Sequence, residues 1–170
     1  MINWGIIGLG NMANKFASAI TEVENSKLIS IASKSRSKLD LFAKNFKIEK
    51  ENKFNNYADL IKSKKINAIY ISTLNNTHIE LILDCAKNDK KILCEKPIGL
   101  NLNQANLALE AINKKNISFY EAIAYRSHPQ TRNLLELIDT GEIGGIYKIE
   151  ASFGFKIKKL KKILDSLIKI

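Results

Sequence analysis

The chain has 170 residues, 45% of them hydrophobic, enough to bury one full core and a piece of a second. Its net charge of +10 divides evenly between residues 156–170 and residues 1–155, and only three of its 27 basic residues are arginine. Arginine is the usual reader of base edges and bidentate clamp on phosphate, so the charge argues against a nucleic-acid partner. No apolar run approaches the roughly 18 residues of a membrane-spanning helix.

The predicted elements alternate along the chain. The first strand is INWGIIG, residues 2–8, an apolar run with no basic leader, so no signal peptide and a cytoplasmic protein are expected. A helix follows over 11–21, with Met12, Phe16 and Ile20 on one side, and KLISIAS (27–33) is a second strand. Residues 37–45 read as a helix, a weak strand lies near Phe54, and a short helix covers 57–63. NAIYIST (67–73) is apolar on both faces, as a central parallel strand should be. Thr77-His78-Ile79-Glu80 has the form of a capping box and opens a helix reaching about residue 88. KILCE (91–95) is the fifth strand, and Leu102, Ala105, Leu109 and Ile112 form the expected buried stripe of the next helix. ISFYEA (117–122) is the sixth strand, and a last helix from about 128 to 140 ends at Gly141, a left-handed cap. Such alternation means βαβ units with right-handed crossovers, hence an α/β, doubly wound Rossmann-type parallel sheet. Cys85 and Cys94 read as buried cytosolic thiols outside any metal-ligand spacing, so no metal is expected.

Gly8-Leu9-Gly10-Asn11-Met12-Ala13 fits G-x-G-x-x-[GA] between a strand and a helix, which is where a dinucleotide pyrophosphate is cradled. Gly8 permits the tight turn, and Gly10 leaves no side chain between backbone and phosphate. Ala13 allows the helix to pack closely, and amides of the first helical turn face the anion. At the end of the second strand an NAD enzyme usually carries a carboxylate for the ribose 2′-hydroxyl. Here Ser33, Lys34, Ser35 and Arg36 stand there, two hydroxyls and two cations suited to a 2′-phosphate, so NADP is the expected cofactor and NAD the second choice.

ISTLNNTHIELILDCAKNDKKILCEKPIGLN, with Glu95-Lys96-Pro97 after the fifth strand, resembles the Gfo/Idh/MocA oxidoreductase family. EAIAYRSHPQ (121–130) is similar to the branch containing xylose and dihydrodiol dehydrogenases, and the resemblance runs from about residue 2 to 155. It implies hydride transfer between a nicotinamide and a sugar, polyol or dihydrodiol-like substrate. It implies further that Thr73, Leu74 and Asn75 run beneath the ribose and nicotinamide, with Leu74 where the family often has proline. Glu95 and Lys96 then lie beside the nicotinamide, and Lys96 is the catalytic candidate, its ammonium holding the reacting oxygen. His78 matches a histidine usual at this helix start and reads equally as a cofactor contact or as a polar helix cap. Tyr125 and Arg126 are substrate candidates, with an interdomain ion pair as the ordinary alternative for Arg126.

Family members usually exceed 300 residues and carry a second domain on a large, mostly antiparallel sheet, which commonly mediates oligomers. By that resemblance residues 1–122 form the cofactor domain, 123–155 the connector and first strand of a shortened α+β substrate domain, and 156–170 a basic tail. The family's Gly-Gly-rich segment and D-x-G-x-[HY] acid–base motif are not found, so weak or no turnover is expected. FKIKKLKKILDSLIKI (155–170) reads as a basic amphipathic helix for the exposed core or a membrane surface, or as a frameshifted end. The latter rests on a one-base slip, which can turn 162–170 into Asn-Ser-Arg-Leu-Phe-Asn-Lys-Asn, like an Arg-containing run of the family. Two further readings fit the sequence: a non-catalytic dinucleotide-binding module, and a lysine-driven binder of nucleic acid or acidic membrane.

Overall fold

The computed structural model describes residues 1–152 and residue 154. Two compact units divide the chain, Met1–Ala124 and Tyr125–Ile170. The tail readings at 156–170 lie outside the described residues.

The first unit contains strands β1 (Ile2–Ile7), β2 (Ser26–Ala32), β3 (Lys53–Phe54), β4 (Ala68–Ile71), β5 (Lys91–Glu95) and β6 (Phe119–Ala122). They form one sheet in the order β3-β2-β1-β4-β5-β6, and every neighbouring pair is parallel. Helices α1 (Asn11–Ile20), α2 (Arg36–Phe46), α3 (Tyr57–Lys62), α4 (His78–Lys87) and α5 (Leu102–Lys115) make the crossovers. This is the doubly wound Rossmann-type sheet expected from the alternation.

Side chains alternate across a strand, so Ile6 and Ile7 enter different cores. Ile7 joins Ile69, Ile71, Ile92 and Cys94 under residues of α3, α4 and α5. Ile6 joins Ile31 and Tyr70 under Ala13 and Ala17 of α1 and Leu39, Phe42 and Ala43 of α2. All four residues of β4 are buried, as its central place demands. Lys90 is buried as well; its ammonium donates to Ser63 O at 2.6 Å and Ile66 O at 2.7 Å, tying down the α3–β4 loop. Burial pulls its pKa below the ordinary lysine value.

Three expectations need correction here. On α1 the core side is Ala13, Ala17 and Ile20, with Phe16 half-buried, whereas Met12 is exposed. Met12 belongs to the first turn, at the carboxyl edge of the sheet rather than over its middle. On α5 the buried residues are Ala108 and Ile112, while Leu102 and Leu109 face outward. Ala108 and Ile112 pack into the core shared with α4, the close neighbour of this helix, and the side carrying Leu102 and Leu109 is turned away from it.

The third correction concerns the second unit. Its helix α6 (Pro129–Asp139) starts with the His128 side chain accepting from Gln130 N and has Pro129 in its first turn. It ends before Gly141, whose φ of +76° is the left-handed cap foreseen. No strand forms among the described residues after it, so the expected first strand of a second sheet is not seen over 145–152. A strand needs a neighbour to take its backbone groups, and none is present in that unit among the described residues.

Candidate functional site

The carboxyl ends of β1 and β4 part where the chain order reverses, the usual ligand crevice of an open α/β sheet. Gly8 lies at this point with φ +87°, and a Cβ on it would come within 2.8 Å of Ser72 O and of Thr73 Cγ2. Ser72 Oγ donates to Gly8 O at 2.7 Å, so the two loops close on each other through backbone that only glycine leaves accessible. Gly10 differs: its φ of −99° suits any residue, and no atom lies within 4 Å of a Cβ built there. It opens α1, whose first turn has neither a side-chain cap nor an acidic residue. By contrast α2, α3 and α5 are capped by Ser35, Asn56 and Asn101. Asn11 and Met12 are exposed on that uncapped turn, whereas the Leu9 side chain is buried, leaving its backbone at the bend.

At the end of β2, Ser33 is buried and its hydroxyl accepts from Ser35 N at 3.1 Å. Lys34 and Arg36 are exposed; the Lys34 ammonium rests 5.5 Å from the centre of the Tyr57 ring. No carboxylate occupies positions 33–36.

Beyond β4 and β5 lie the remaining candidates. Leu74 is 76% exposed and Asn75 is exposed beside it, with Thr73 half-buried. The Lys96 side chain is exposed and has no hydrogen bond or ion pair among the described residues. Glu95 Oε1 accepts from the Tyr70 hydroxyl at 2.6 Å. Burial, and then the Glu95 carboxylate, push the Tyr70 hydroxyl well above its ordinary pKa, so it remains a donor throughout the working range.

His78 takes neither role expected of it. It is 0% exposed, and both ring nitrogens face backbone carbonyls, Nδ1 to Pro97 O at 2.8 Å and Nε2 to Thr73 O at 3.4 Å. Its side chain presents no surface to a ligand. Nor is there a capping box: Thr77 Oγ1 lies 2.8 Å from Leu74 O and 2.7 Å from Thr73 Oγ1, and Thr77 makes no side-chain cap. A 3₁₀ turn over Asn75–Thr77 runs straight into α4, and its carbonyls meet the early amides instead.

The family described as an oxidoreductase family with an NAD-binding Rossmann fold, Gfo/Idh/MocA, matches residues 2–122. The chain belongs to this family. It is 30% identical over 164 residues to trans-1,2-dihydrobenzene-1,2-diol dehydrogenase of Xenopus tropicalis, covering 95% of this chain and 49% of that one. Among solved structures it resembles scyllo-inositol dehydrogenase from Lactobacillus casei with bound NAD(H) and scyllo-inositol. The TM-score is 0.80 at 28% identity, covering 86% of this chain and 43% of that one. It also resembles a variant of a 3-ketoreductase from Actinomadura kijaniata in complex with TDP-benzene and NADP. There the TM-score is 0.76 at 25% identity, with coverages of 85% and 44%. The chain thus spans about half the length of the curated relatives it matches.

Within the Gfo/Idh/MocA fold, three further residues shape the crevice that the sequence did not single out. Ser72 holds Gly8, Tyr70 holds Glu95, and Glu121 of β6 accepts from Ile98 N at 2.8 Å. Each is separated from its partner by at least 23 residues, so no local spacing rule could have paired them. Tyr125 and Arg126 belong to the second unit, in a 3₁₀ turn over Ala124–Ser127, and both are exposed. Among the described residues no group of three or more His, Cys, Asp or Glu could hold a metal ion, and no helix is long and apolar enough to cross a membrane.

Proposed function

We propose that residues 1–122 bind a nicotinamide dinucleotide, NADP in preference to NAD. In the whole protein this would serve oxidation or reduction at a carbinol or carbonyl carbon of a sugar, polyol or dihydrodiol-like substrate. The observation that carries the reading is the uncapped, acid-free start of α1 behind an open Gly10. Backbone amides there are donors without side-chain partners, at the positive end of a helix dipole, with open space in front of Gly10. The residues present therefore fit the group.

When bound, the nicotinamide ring supplies the hydride donor or acceptor. The chain's own residues do the rest. Leu9, Gly10, Asn11 and Met12 offer backbone to the pyrophosphate. Lys34 and Arg36 offer cations to a ribose 2′-phosphate, with the Ser33 hydroxyl beneath them, and no carboxylate repels it. Thr73, Leu74 and Asn75 flank the nicotinamide side. Lys96 holds the reacting oxygen, where an ammonium stabilises alkoxide character. Glu95, fastened by Tyr70, stands next to it. Tyr125 and Arg126 are assigned to the substrate. Relatives that act on a dihydrodiol and an inositol, by their names, support the substrate class.

Calorimetric titration of the whole chain with NADPH and NADH tests the reading. NADPH should bind more tightly. Lys34→Ala combined with Arg36→Ala should weaken NADPH by about tenfold, or 1.4 kcal/mol, while leaving NADH unchanged. Heat from neither coenzyme at millimolar concentration overturns the proposal, and tighter NADH overturns the preference. Binding with no substrate-dependent absorbance change across a polyol and dihydrodiol panel would mark a binding module instead.

A further inference from the structure

The ladder between β4 and β5 ends at the pair Ile71 and Cys94. Beyond it the two chains leave as separate loops, one through Thr73, Leu74 and Asn75, the other through Lys96 and Pro97. His78 stands between them, fully buried, and is the side chain that reaches both. Both facing atoms are carbonyl oxygens, which only accept; a neutral ring carries one N–H, and the closer approach of 2.8 Å assigns it to Nδ1, which donates to Pro97 O. With the proton there, the 3.4 Å approach of Nε2 to Thr73 O is a packing contact and not a hydrogen bond, and the ring is tied to the Thr73 loop by the short run of chain from 73 to 78. One residue further on, Ile98 N is taken by Glu121, so the β5 loop is fixed from both sides.

We propose that His78 is a positioning residue: it couples the Thr73–Asn75 loop to the Lys96–Pro97 segment so that the groups they carry shift together or not at all. A dinucleotide lying along the first loop would then find Lys96 already at a set distance, with no ordering left to be done at binding. This use of the clamp rests on the cofactor reading above; the clamp itself rests on the Nδ1–Pro97 O hydrogen bond and on the packing of the buried ring against Thr73. A space-filling role for His78 is the competing account, and the two part company in a pair of substitutions. His78→Leu keeps most of the volume and removes every hydrogen bond. His78→Asn loses volume, but its side-chain amide can donate from near the Nδ1 position to Pro97 O.

The experiment measures NADPH affinity and backbone amide exchange in peptides covering 72–77 and 96–99, on the parent chain and both variants. His78→Leu should weaken NADPH by about tenfold or more and speed exchange in both peptides together, and His78→Asn should restore most of each. Parent-like affinity in His78→Leu, asparagine no better than leucine, or faster exchange in one peptide only would overturn the coupling. Should both variants fail to fold, the parent decides. Equal opening of the two peptides supports the clamp, and protection differing by more than about tenfold refutes it. If the parent binds neither coenzyme, the cofactor reading falls, and the exchange data alone judge the clamp.

Discussion

The two ends of the crevice are built on opposite plans. At the β1–α1 end the wall is bare backbone: Gly8 is bent into a conformation side chains resist, Gly10 faces open space, and α1 begins uncapped. At the β4–β5 end the wall is made of side chains held by other side chains and by distant backbone. Tyr70 holds Glu95, His78 spans Thr73 and Pro97, and Glu121 holds Ile98. An anion needs several short donors at once, which main-chain amides in a helical turn provide. A reacting oxygen needs one cation at one place, which requires a long side chain on a supported loop.

Substitutions can separate the two plans, and the largest effect should come at the glycines. Gly8→Ala meets a positive φ and the Ser72 carbonyl, and should cost more than about 3 kcal/mol in urea unfolding. Gly10→Ala should leave stability within about 0.5 kcal/mol, yet weaken NADPH by about tenfold in the same calorimeter. Equal affinity in Gly10→Ala would mean that no phosphate lies there. At the other end, Tyr70→Phe leaves a half-buried carboxylate without its donor, and unfolding should show a loss of about 1–2 kcal/mol.

Alkali probes the underside of that same end. Burial pushes the Cys94 thiol up to about 12, and the Cys85 thiol is raised by burial too. Unfolded thiols lose their protons from about pH 8.5, whereas the folded ones keep theirs. The unfolded state therefore binds fewer protons, and stability should fall as pH rises, by up to about 1.4 kcal/mol per unit for each thiol. A urea midpoint flat between pH 8.5 and 9.5 would contradict that burial. The smallest effect belongs to Leu74→Pro. Its φ of −73° and ψ of 146° already suit proline, so thermal unfolding should show no loss and a gain of up to about 1 kcal/mol.

The two plans also explain which parts of the molecule could be read in advance. Local pattern was enough for all six strands and for the glycine turn, because strand alternation and turn chemistry act over a few neighbouring residues. It misled at α5, where Leu102 and Leu109 fit a helical stripe as well as Ala108 does. Which face turns inward depends on where α4 lies against this helix, and that is settled only in the fold. It misled again at Thr77, because a 3₁₀ turn running into α4 had already met the amides a capping box would serve.

By itself the sequence determined the order of strands and helices, the bend at Gly8–Gly10 and the absence of a carboxylate after β2, since each depends on residues adjacent along the chain. Only the tertiary structure decided that His78 turns inward and that Tyr70, Ser72 and Glu121 support the crevice. Those contacts join residues brought together by parallel pairing, and a hydrogen bond across adjacent strands leaves no periodic trace in the order of amino acids.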